Sequence, residues 1–264
     1  MVLPLAHAHA NVSLVPVRKE PDHRSEQVNQ VLFGERVIIR DVNNKGWALM
    51  RSCIDDYEGW CRIGQLTAEN AKEYRKPTRY LCQSNNGRLL LPDGEMWIPA
   101  GSELRFSGGK LNAGQESGKF RGKKLKVRDQ RPDAQQIRKA ALSFLYAPYQ
   151  WGGRSVAGID CSGLTQMAFR LCNLALPRDA SQQAAEGLLV DFLQHAQCGD
   201  LAFFDNDEGK IVHVGLLLDN ETIVHATETT GRAVIDKIDQ EGIVSRSLKK
   251  RTHHLRMVKR LIGS

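Results

Sequence analysis

The sequence predicts an α+β fold in which a C-terminal domain is preceded by two small β-barrels. Short β-rich segments separated by turn residues occupy most of the first 127 residues. A polar, proline-containing joint follows at 129–133. Residues 133–172 then show helical periodicity, and a run of strand-like segments comes after them. We expect domains at 1–68, 78–128 and 130–264.

The first β domain is predicted from alternating or β-rich segments, each bounded by turn residues. These segments are 10–18, 28–32, 36–41, 47–51 and 58–63. A short helix is expected at 67–76, with Thr67 as its N-cap and Pro77 after its end. Residues 78–127 show the same pattern of short strands and turns, with turn signals at 85–87, 92–94 and 108–109, and predict a second small β domain.

The C-terminal domain begins with two predicted helices. Asp133 is expected to cap the first, which carries apolar residues on one face. The second is expected at 162–172, after a turn at 158–160, because its apolar residues recur at helical spacing. Three strands are predicted to follow, at 201–204, 211–218 and 222–226.

Composition and charge limit the possible partners. Of the 264 residues, 41% are hydrophobic and 25% are charged, as in ordinary folded proteins. The net charge of +7 is concentrated at 121–128 and 246–260. A basic surface attracts nucleic acid, anionic glycan-peptides or membranes, although a solvated basic face is the commoner meaning. Because no zinc-finger spacing or aromatic RNA-binding motif accompanies the charge, we expect no nucleic-acid partner.

The expected location is the cytoplasm. No apolar run reaches the roughly 20 residues that a membrane-spanning helix needs. Residues 1–17 lack the basic start and apolar core of a signal peptide. A periplasmic or secreted location stays open if a signal peptide has been removed. We expect a monomer, although the sequence leaves the oligomeric state open.

Cys161 is the candidate nucleophile among six cysteines. No C-x-x-C pair occurs, so neither a zinc site nor a redox motif is indicated. Cysteine–histidine acyl transfer needs no metal or organic cofactor, and none is expected. Cys161 lies in Asp160-Cys161-Ser162-Gly163 at the predicted start of a helix. Unpaired backbone N–H groups and the helix dipole favour the thiolate there, and the thiolate is the nucleophile.

Two histidines on neighbouring predicted strands supply a candidate base. His213 interrupts an apolar strand, and His225 lies in the next one, after a turn at 219–221. Antiparallel pairing would bring the rings together, so that His225 orients His213 as the third member of a triad does. The alternative for each is a core histidine bonded to backbone. His253 and His254 are expected to be solvated in a basic tail.

Six segments in the C-terminal half resemble the NlpC/P60 family of bacterial cell-wall cysteine peptidases. They are 148–153, 158–163, 176–183, 199–204, 213–215 and 224–226. The resemblance implies a papain-like α+β fold, with Cys161 as nucleophile, His213 as base and His225 as the orienting residue. It also implies that the hydroxyl of Tyr149 lies near the developing oxyanion.

The N-terminal part is similar to bacterial SH3 modules at 21–35 and 57–60. Two such modules before the peptidase domain resemble the γ-D-glutamyl-L-diamino acid endopeptidases. The resemblance implies cleavage between D-glutamate and the diamino acid of peptidoglycan stem peptides, L-Ala-γ-D-Glu-diamino acid. A free N-terminal L-Ala is favoured, and the first SH3 module helps to close the site around that amine. The sequence leaves diaminopimelate or lysine open, as well as recycling or wall turnover.

The resemblance also implies a set of substrate-contacting residues. They are Asp160, Ser162, Asp179, Trp151, Tyr57 and Glu26. Asp160 would contact the substrate ammonium, although its position is also typical of a helix cap. Glu20 remains an alternative to Glu26. Tyr57 could be barrel core instead, and Tyr149 and Trp151 could be packing residues before a Gly-Gly turn. Some relatives carry serine where this chain has Ala180.

The sequence leaves two other functions open. SH3-like modules bind peptides or glycans, so the chain could be a non-enzymatic scaffold. The intact set of Cys161, His213 and His225 argues against it, because a decayed enzyme would be expected to lose one member. An amidase or acyltransferase would use the same Cys-His chemistry with another acceptor.

Overall fold

The computed structural model describes residues 6–130 and 132–263. The chain divides into two compact units, with the boundary between Gln130 and Arg131. The expected β-rich N-terminal region and α+β C-terminal part are both confirmed. Across the described ranges, the longest helix has 10 residues, and no helix is long and apolar enough to cross a membrane.

The first unit opens with a seven-stranded antiparallel sheet. Its strands are β1 (Ala6–Ala10), β2 (Leu14–Arg18), β3 (Gln27–Leu32), β4 (Arg36–Val42), β5 (Trp47–Ser52), β6 (Glu58–Arg62) and β7 (Leu66–Glu69). Their order in the sheet is β3-β2-β6-β5-β4-β1-β7. Alternation places Val15 and Val17 of β2 in the core, where they pack with Val37, Met50 and Cys61.

The prediction of a helix at 67–76 is largely wrong. Residues 66–69 form β7, in which Ala68 pairs with Ala8 of β1. Only α1 (Ala71–Tyr74) is helical, and Asn70 caps it instead of Thr67. The Asn70 side chain accepts a hydrogen bond from the Glu73 N–H at 3.0 Å. Pairing with β1 therefore overrides the helical tendency of the local sequence.

The rest of the first unit contains a five-stranded sheet and a separate strand pair. The strands are β8 (Tyr80–Cys82), β9 (Gly87–Leu91), β10 (Gly94–Ile98), β11 (Phe106–Ser107), β12 (Lys110–Ala113), β13 (Glu116–Arg121) and β14 (Lys124–Lys126). The sheet order is β10-β9-β13-β12-β11, and β8 pairs with β14. Phe33, from the first sheet region, packs in this second core with Leu89 and Leu111. The division into domains 1–68 and 78–128 stays a prediction.

The second unit is an α+β arrangement around a seven-stranded sheet. Its helices are α2 (Ala134–Leu142), α3 (Cys161–Arg170) and α4 (Ala180–Gln183), and a small hairpin pairs β15 (Arg154–Ser155) with β16 (Gly158–Ile159). The sheet strands are β17 (Leu188–Val190), β18 (Leu201–Asp205), β19 (Ile211–Leu217), β20 (Thr222–Thr227), β21 (Arg232–Asp239), β22 (Gly242–Val244) and β23 (Arg251–Arg260). Their order is β17-β23-β18-β19-β20-β21-β22, and β22 also pairs with β23.

Helix α3 is the central helix of this unit. It packs against α2 on one side and against β19 and β20 on the other. Nine of its 10 residues are buried, so the helix is held on nearly all sides. The predicted cap of α2 is confirmed, since the Asp133 side chain accepts from the Gln136 N–H at 2.8 Å.

The last three strands were not predicted. Residues 246–260, expected as part of a basic surface, include β23, which lies between β17 and β18. Apolar residues such as Leu255, Met257 and Val258 are interspersed among its basic ones, and Val258 is buried while Arg256 is exposed. The net charge of the segment therefore does not reveal that it forms a strand paired on both sides in the sheet.

Candidate active site

Cys161 is the first residue of α3, and Asp160 is its N-cap. The thiol is only 5% exposed. The backbone groups of Ser162 and Val214 hydrogen-bond to the sulfur. Val214 follows His213 in β19, so the sulfur lies against the strand that carries the predicted base.

Burial dominates the electrostatics of the thiol. Loss of solvent raises the pKa of Cys161 to about 12, and the nearby Asp160 carboxylate adds to the rise. Hydrogen bonds from Val214 and Ser162 and the charge of Arg178 lower the pKa of the thiol by less. The helix start favours the thiolate in principle. In this closed site, however, burial outweighs it, and the thiol carries its proton at neutral pH.

The two predicted histidines meet as the sequence pattern suggested. His213 on β19 and His225 on β20 are both buried, and His213 Nε2 lies 2.9 Å from His225 Nδ1. Burial lowers the pKa of His213 well below 6.5, and the neighbouring His253 and His225 lower it further. His213 is therefore a neutral imidazole that can accept a proton.

Asp236 extends this pair, and the sequence reading missed it. It lies on β21, is 3% exposed, and its Oδ2 is 3.3 Å from His225 Nε2. Burial would raise the pKa of Asp236, but hydrogen bonds from His225 and the Arg246 backbone keep it below its usual value. The available signal was a single carboxylate in the apolar run 233–238.

The sequence also does not predict that His253 lies beside His213. The expectation of a solvated side chain is wrong, because His253 lies on β23 and stacks on His213. The ring centroids are 4.0 Å apart and the planes are inclined by 21°. Burial and the neighbouring His225 lower the pKa of His253 to about 4.

An ion pair fixes the start of α3. Arg178 binds the Asp160 carboxylate with both guanidinium nitrogens, at 3.0 and 2.5 Å. The same carboxylate accepts from the N–H groups of Gly152 and Gly163, at 2.8 and 2.7 Å. Arg178 also donates to Ser162 Oγ at 2.8 Å. A substrate ammonium at Asp160 would share the carboxylate with Arg178.

Close packing at Gly163 holds α3 against the preceding loop. A Cβ added there would lie 2.2 Å from the Gly153 carbonyl oxygen, which is inside any allowed contact. The N-terminal turn of the helix and the loop that bears Gly153 are therefore locked together next to Cys161.

The remaining predicted residues of this unit lie around the same helix start. The Tyr149 backbone N–H donates to the Gly231 carbonyl at 2.8 Å. Burial, followed by the charges that Cys161 and Asp160 carry when ionised, raises the pKa of Tyr149, so its hydroxyl stays protonated and can donate. Trp151 is 56% exposed. Asp179 caps α4 in a capping box with Gln182.

Glu26 and Tyr57 come to the same end of the first sheet. Glu26 directly precedes β3, and Tyr57 directly precedes β6. Both strands pair with β2, where Arg18 lies opposite Gln27 and Trp60. Their predicted contact with substrate stays a prediction.

Three histidines in the described ranges lie close enough together to be considered as metal ligands. His213, His225 and His253 offer ligand atoms that lie within 4.8 Å of one another. Neutral imidazoles suit zinc and similar cations. The His213–His225 hydrogen bond already uses two of these nitrogens. A metal would therefore compete with the pairing of the two rings, and the expectation that no metal is required stays a prediction.

Comparison with known proteins agrees with this arrangement. Residues 146–252 match the NlpC/P60 family, and residues 17–66 match the bacterial dipeptidyl-peptidase SH3 domain. A γ-D-glutamyl-L-lysine dipeptidyl-peptidase from Bacillus subtilis is 31% identical over 226 residues, covering 76% of this chain and 72% of that protein. Dipeptidyl-peptidase 6 from Lysinibacillus sphaericus is 27% identical over 251 residues, covering 84% and 88%.

The fold has a counterpart of nearly the same length among solved structures. A crystal structure of an NlpC/P60 family protein from Bacillus cereus superposes with a TM-score of 0.81 at 20% identity. The match covers 97% of this chain and 100% of that one. The fold and the matched sequences define a cysteine peptidase. Within that class, the chain belongs to the NlpC/P60 family and carries an N-terminal SH3-like region.

Proposed function

We propose that this chain hydrolyses the γ-D-glutamyl–diamino acid bond of peptidoglycan stem peptides that carry a free N-terminal L-Ala. The observation that carries the proposal is the buried group of Cys161, His213 and His225 at the start of α3. The name of the Bacillus subtilis relative supports the choice of bond, and the names of both long-matching relatives, as dipeptidyl-peptidases, support the release of a dipeptide.

The first chemical step is attack on the γ-carbonyl of D-glutamate. His213 takes the proton from Cys161 as the sulfur forms a bond to the carbonyl carbon. The hydroxyl of Tyr149 and the backbone N–H of Cys161 donate to the developing oxyanion. Each such donor is commonly worth about 3–4 kcal/mol of transition-state stabilisation.

The second step breaks the amide bond and then restores the enzyme. Protonated His213 gives its proton to the departing amine of the diamino acid, and a thioester on Cys161 remains. Water, deprotonated by His213, attacks the thioester and releases L-Ala-D-Glu. The cycle needs only a nucleophile, a base and oxyanion donors, all of which this chain supplies.

We also propose which residues contact the substrate, and we take each unit of the chain by itself. We propose that Asp160, with Ser162 and Asp179, contacts the L-Ala-γ-D-Glu part. Trp151 is exposed and is assigned to the same substrate site. Tyr57 and Glu26 are assigned to the substrate ammonium. Their common position at one end of the first sheet supports this pairing.

Recycling of released stem peptides is the proposed biological setting. All six cysteines are unpaired, which favours a reducing compartment. A reducing compartment fits the recycling of released stem peptides better than it fits cutting of the intact wall.

The test is mass spectrometry of the purified protein with L-Ala-γ-D-Glu-diaminopimelate, its lysine analogue and an N-acetylated tripeptide. We expect release of L-Ala-D-Glu from the free-amine substrates only, and no release by Cys161→Ala or His213→Ala. Cleavage by His213→Ala would contradict the base. Equal cleavage of the acetylated peptide would remove the roles of Tyr57 and Glu26. No cleavage of any peptide would overturn the proposed substrate.

A further inference from the structure

Asp236 is a buried carboxylate that the Cys-His chemistry does not itself use. It lies on β21, which pairs antiparallel with β20. His225 is opposite Val234 in this register, so Asp236 is its diagonal neighbour on the same face of the sheet. The diagonal contact explains why Asp236 Oδ2 reaches His225 Nε2, at 3.3 Å.

The hydrogen bonds of Asp236 fix which nitrogen of His225 carries the proton. An ionised carboxylate only accepts hydrogen bonds. Its Oδ1 accepts from the Arg246 N–H at 2.7 Å, and its Oδ2 faces His225 Nε2. His225 Nε2 must therefore be the protonated nitrogen. In a neutral imidazole the other nitrogen, Nδ1, is then an acceptor.

The same reasoning identifies the protonated nitrogen of His213. Its Nε2 lies 2.9 Å from the accepting Nδ1 of His225, so Nε2 of His213 carries the proton. The unprotonated nitrogen of His213 is consequently Nδ1. This is the nitrogen left to take a proton from the thiol, since Nε2 is committed to His225.

We propose that Asp236 is a positioning residue that sets the tautomer of the base His213 through His225. This inference rests on the proposed function of His213, and it adds a fourth member to the Cys161–His213–His225 set. Asp236 contacts neither the sulfur nor the substrate in this assignment. Its effect is on which nitrogen of a distant ring is free.

Asp236→Asn tests this role, because the Arg246 N–H fixes the orientation of the new side-chain amide. The amide oxygen replaces Oδ1 as the acceptor for Arg246, so the NH₂ group faces His225 Nε2. His225 must then carry its proton on Nδ1 and donate to His213 Nε2. Both tautomers invert, and the proton of His213 moves to Nδ1, where it blocks the base.

The matched control is Asp239→Asn. Asp239 lies on the same strand, but its carboxylate binds Arg251 at the surface and does not reach either histidine. The control removes the same charge from the same strand and leaves the hydrogen bonds that join Asp236, His225 and His213 unchanged. Asp236→Ala is a second variant, which removes the anchor without supplying a donor to invert the tautomers.

The experiment combines ¹⁵N NMR of the histidine rings with steady-state kinetics on the tripeptide. In the unsubstituted protein we expect Nε2-protonated rings for His213 and His225. In Asp236→Asn both rings should be Nδ1-protonated, and kcat should fall about 10²–10⁴-fold with KM little changed, by analogy with the effect of a wrong tautomer in a serine protease triad. Asp236→Ala should lose less kcat than Asp236→Asn, and Asp239→Asn should match the unsubstituted protein.

The outcomes separate this inference from the proposed function. Unchanged tautomers in Asp236→Asn, or equal kcat for the Asn and Ala variants, would overturn the role of Asp236. The NMR result needs no substrate, so it stands even if the tripeptide is not cleaved. A folded Asp236→Asn protein, shown by an unchanged amide spectrum away from β20 and β21, makes the tautomer result decisive.

Discussion

The resting site combines a protonated thiol with a neutral imidazole. Burial raises the pKa of Cys161 to about 12 and lowers the pKa of His213 well below 6.5. Both shifts have the same cause, because removing water disfavours the charged form of either group. Burial therefore disfavours a thiolate–imidazolium pair in the resting protein, and in the proposed mechanism proton transfer accompanies attack on the substrate.

Alkylation of Cys161 by iodoacetamide tests this protonation state. We expect a rate that is low at pH 6–7 and keeps rising with pH beyond 9, because the thiolate fraction increases toward a pKa of about 12. Peptide mapping by mass spectrometry would give the rate for Cys161 alone. A rate that is already constant from pH 6 upward would show a preformed thiolate and contradict the neutral pair.

At the scale of elements, a buried ion pair ties the start of α3 to the segment before α4. The side chains of Arg178 and Asp160 are 2% and 5% exposed. Two backbone N–H groups complete the shell of the carboxylate, as a buried charge requires. The pair thus holds Cys161 in place from one side, while β19 and β20 hold it from the other.

Arg178→Met should destabilise the protein by about 3–5 kcal/mol, because Asp160 is left as a buried charge without a counter-ion. Urea denaturation of the chain checks this value. The surface pair of Arg251 and Asp239 provides a matched control, and Arg251→Met should cost below about 1 kcal/mol. Similar losses for the two variants would show that the Arg178 pair is not what anchors α3.

At the scale of the whole molecule, the buried histidines link stability to pH. The pKa of His213 is well below 6.5 and that of His253 is about 4 in the folded state. Once unfolded, both groups return to ordinary values and bind protons below about pH 6.5. The unfolded state then holds more protons, so stability is full above pH 6.5 and is lost as the pH falls toward 4.

Replacement of His253 by Phe should flatten this loss between pH 6.5 and 4, since the ring stack on His213 is kept and one titrating group is gone. The groups that act on His253 are His225, Asp236 and His254. Thermal unfolding across this pH range is the measurement. His254→Phe, at the adjacent exposed position, removes only the smallest of these influences and should change the slope much less. Equal slopes for both variants would rule out the contribution of His253.

Much of the fold and the centre of the site followed from local patterns. The helix start at Cys161 was read from a cap residue and apolar spacing that a few neighbouring residues carry. His213 and His225 were read from one apolar run each, with a short turn between them. These features can be predicted without the tertiary structure, because a helix cap and a two-strand hairpin are formed by residues close together in the chain.

The tertiary structure alone decided what surrounds that centre. Asp236 and His253 reach the site through β21 and β23, and β23 enters the sheet beside β18, about 50 residues earlier in the sequence. No local pattern encodes such a pairing. Burial of Cys161 also depends on the strands that pack against α3, and it raises the pKa of the thiol, opposite to the effect expected from the helix start. The sequence by itself determined which residues can react, whereas packing decided which of their atoms carry protons.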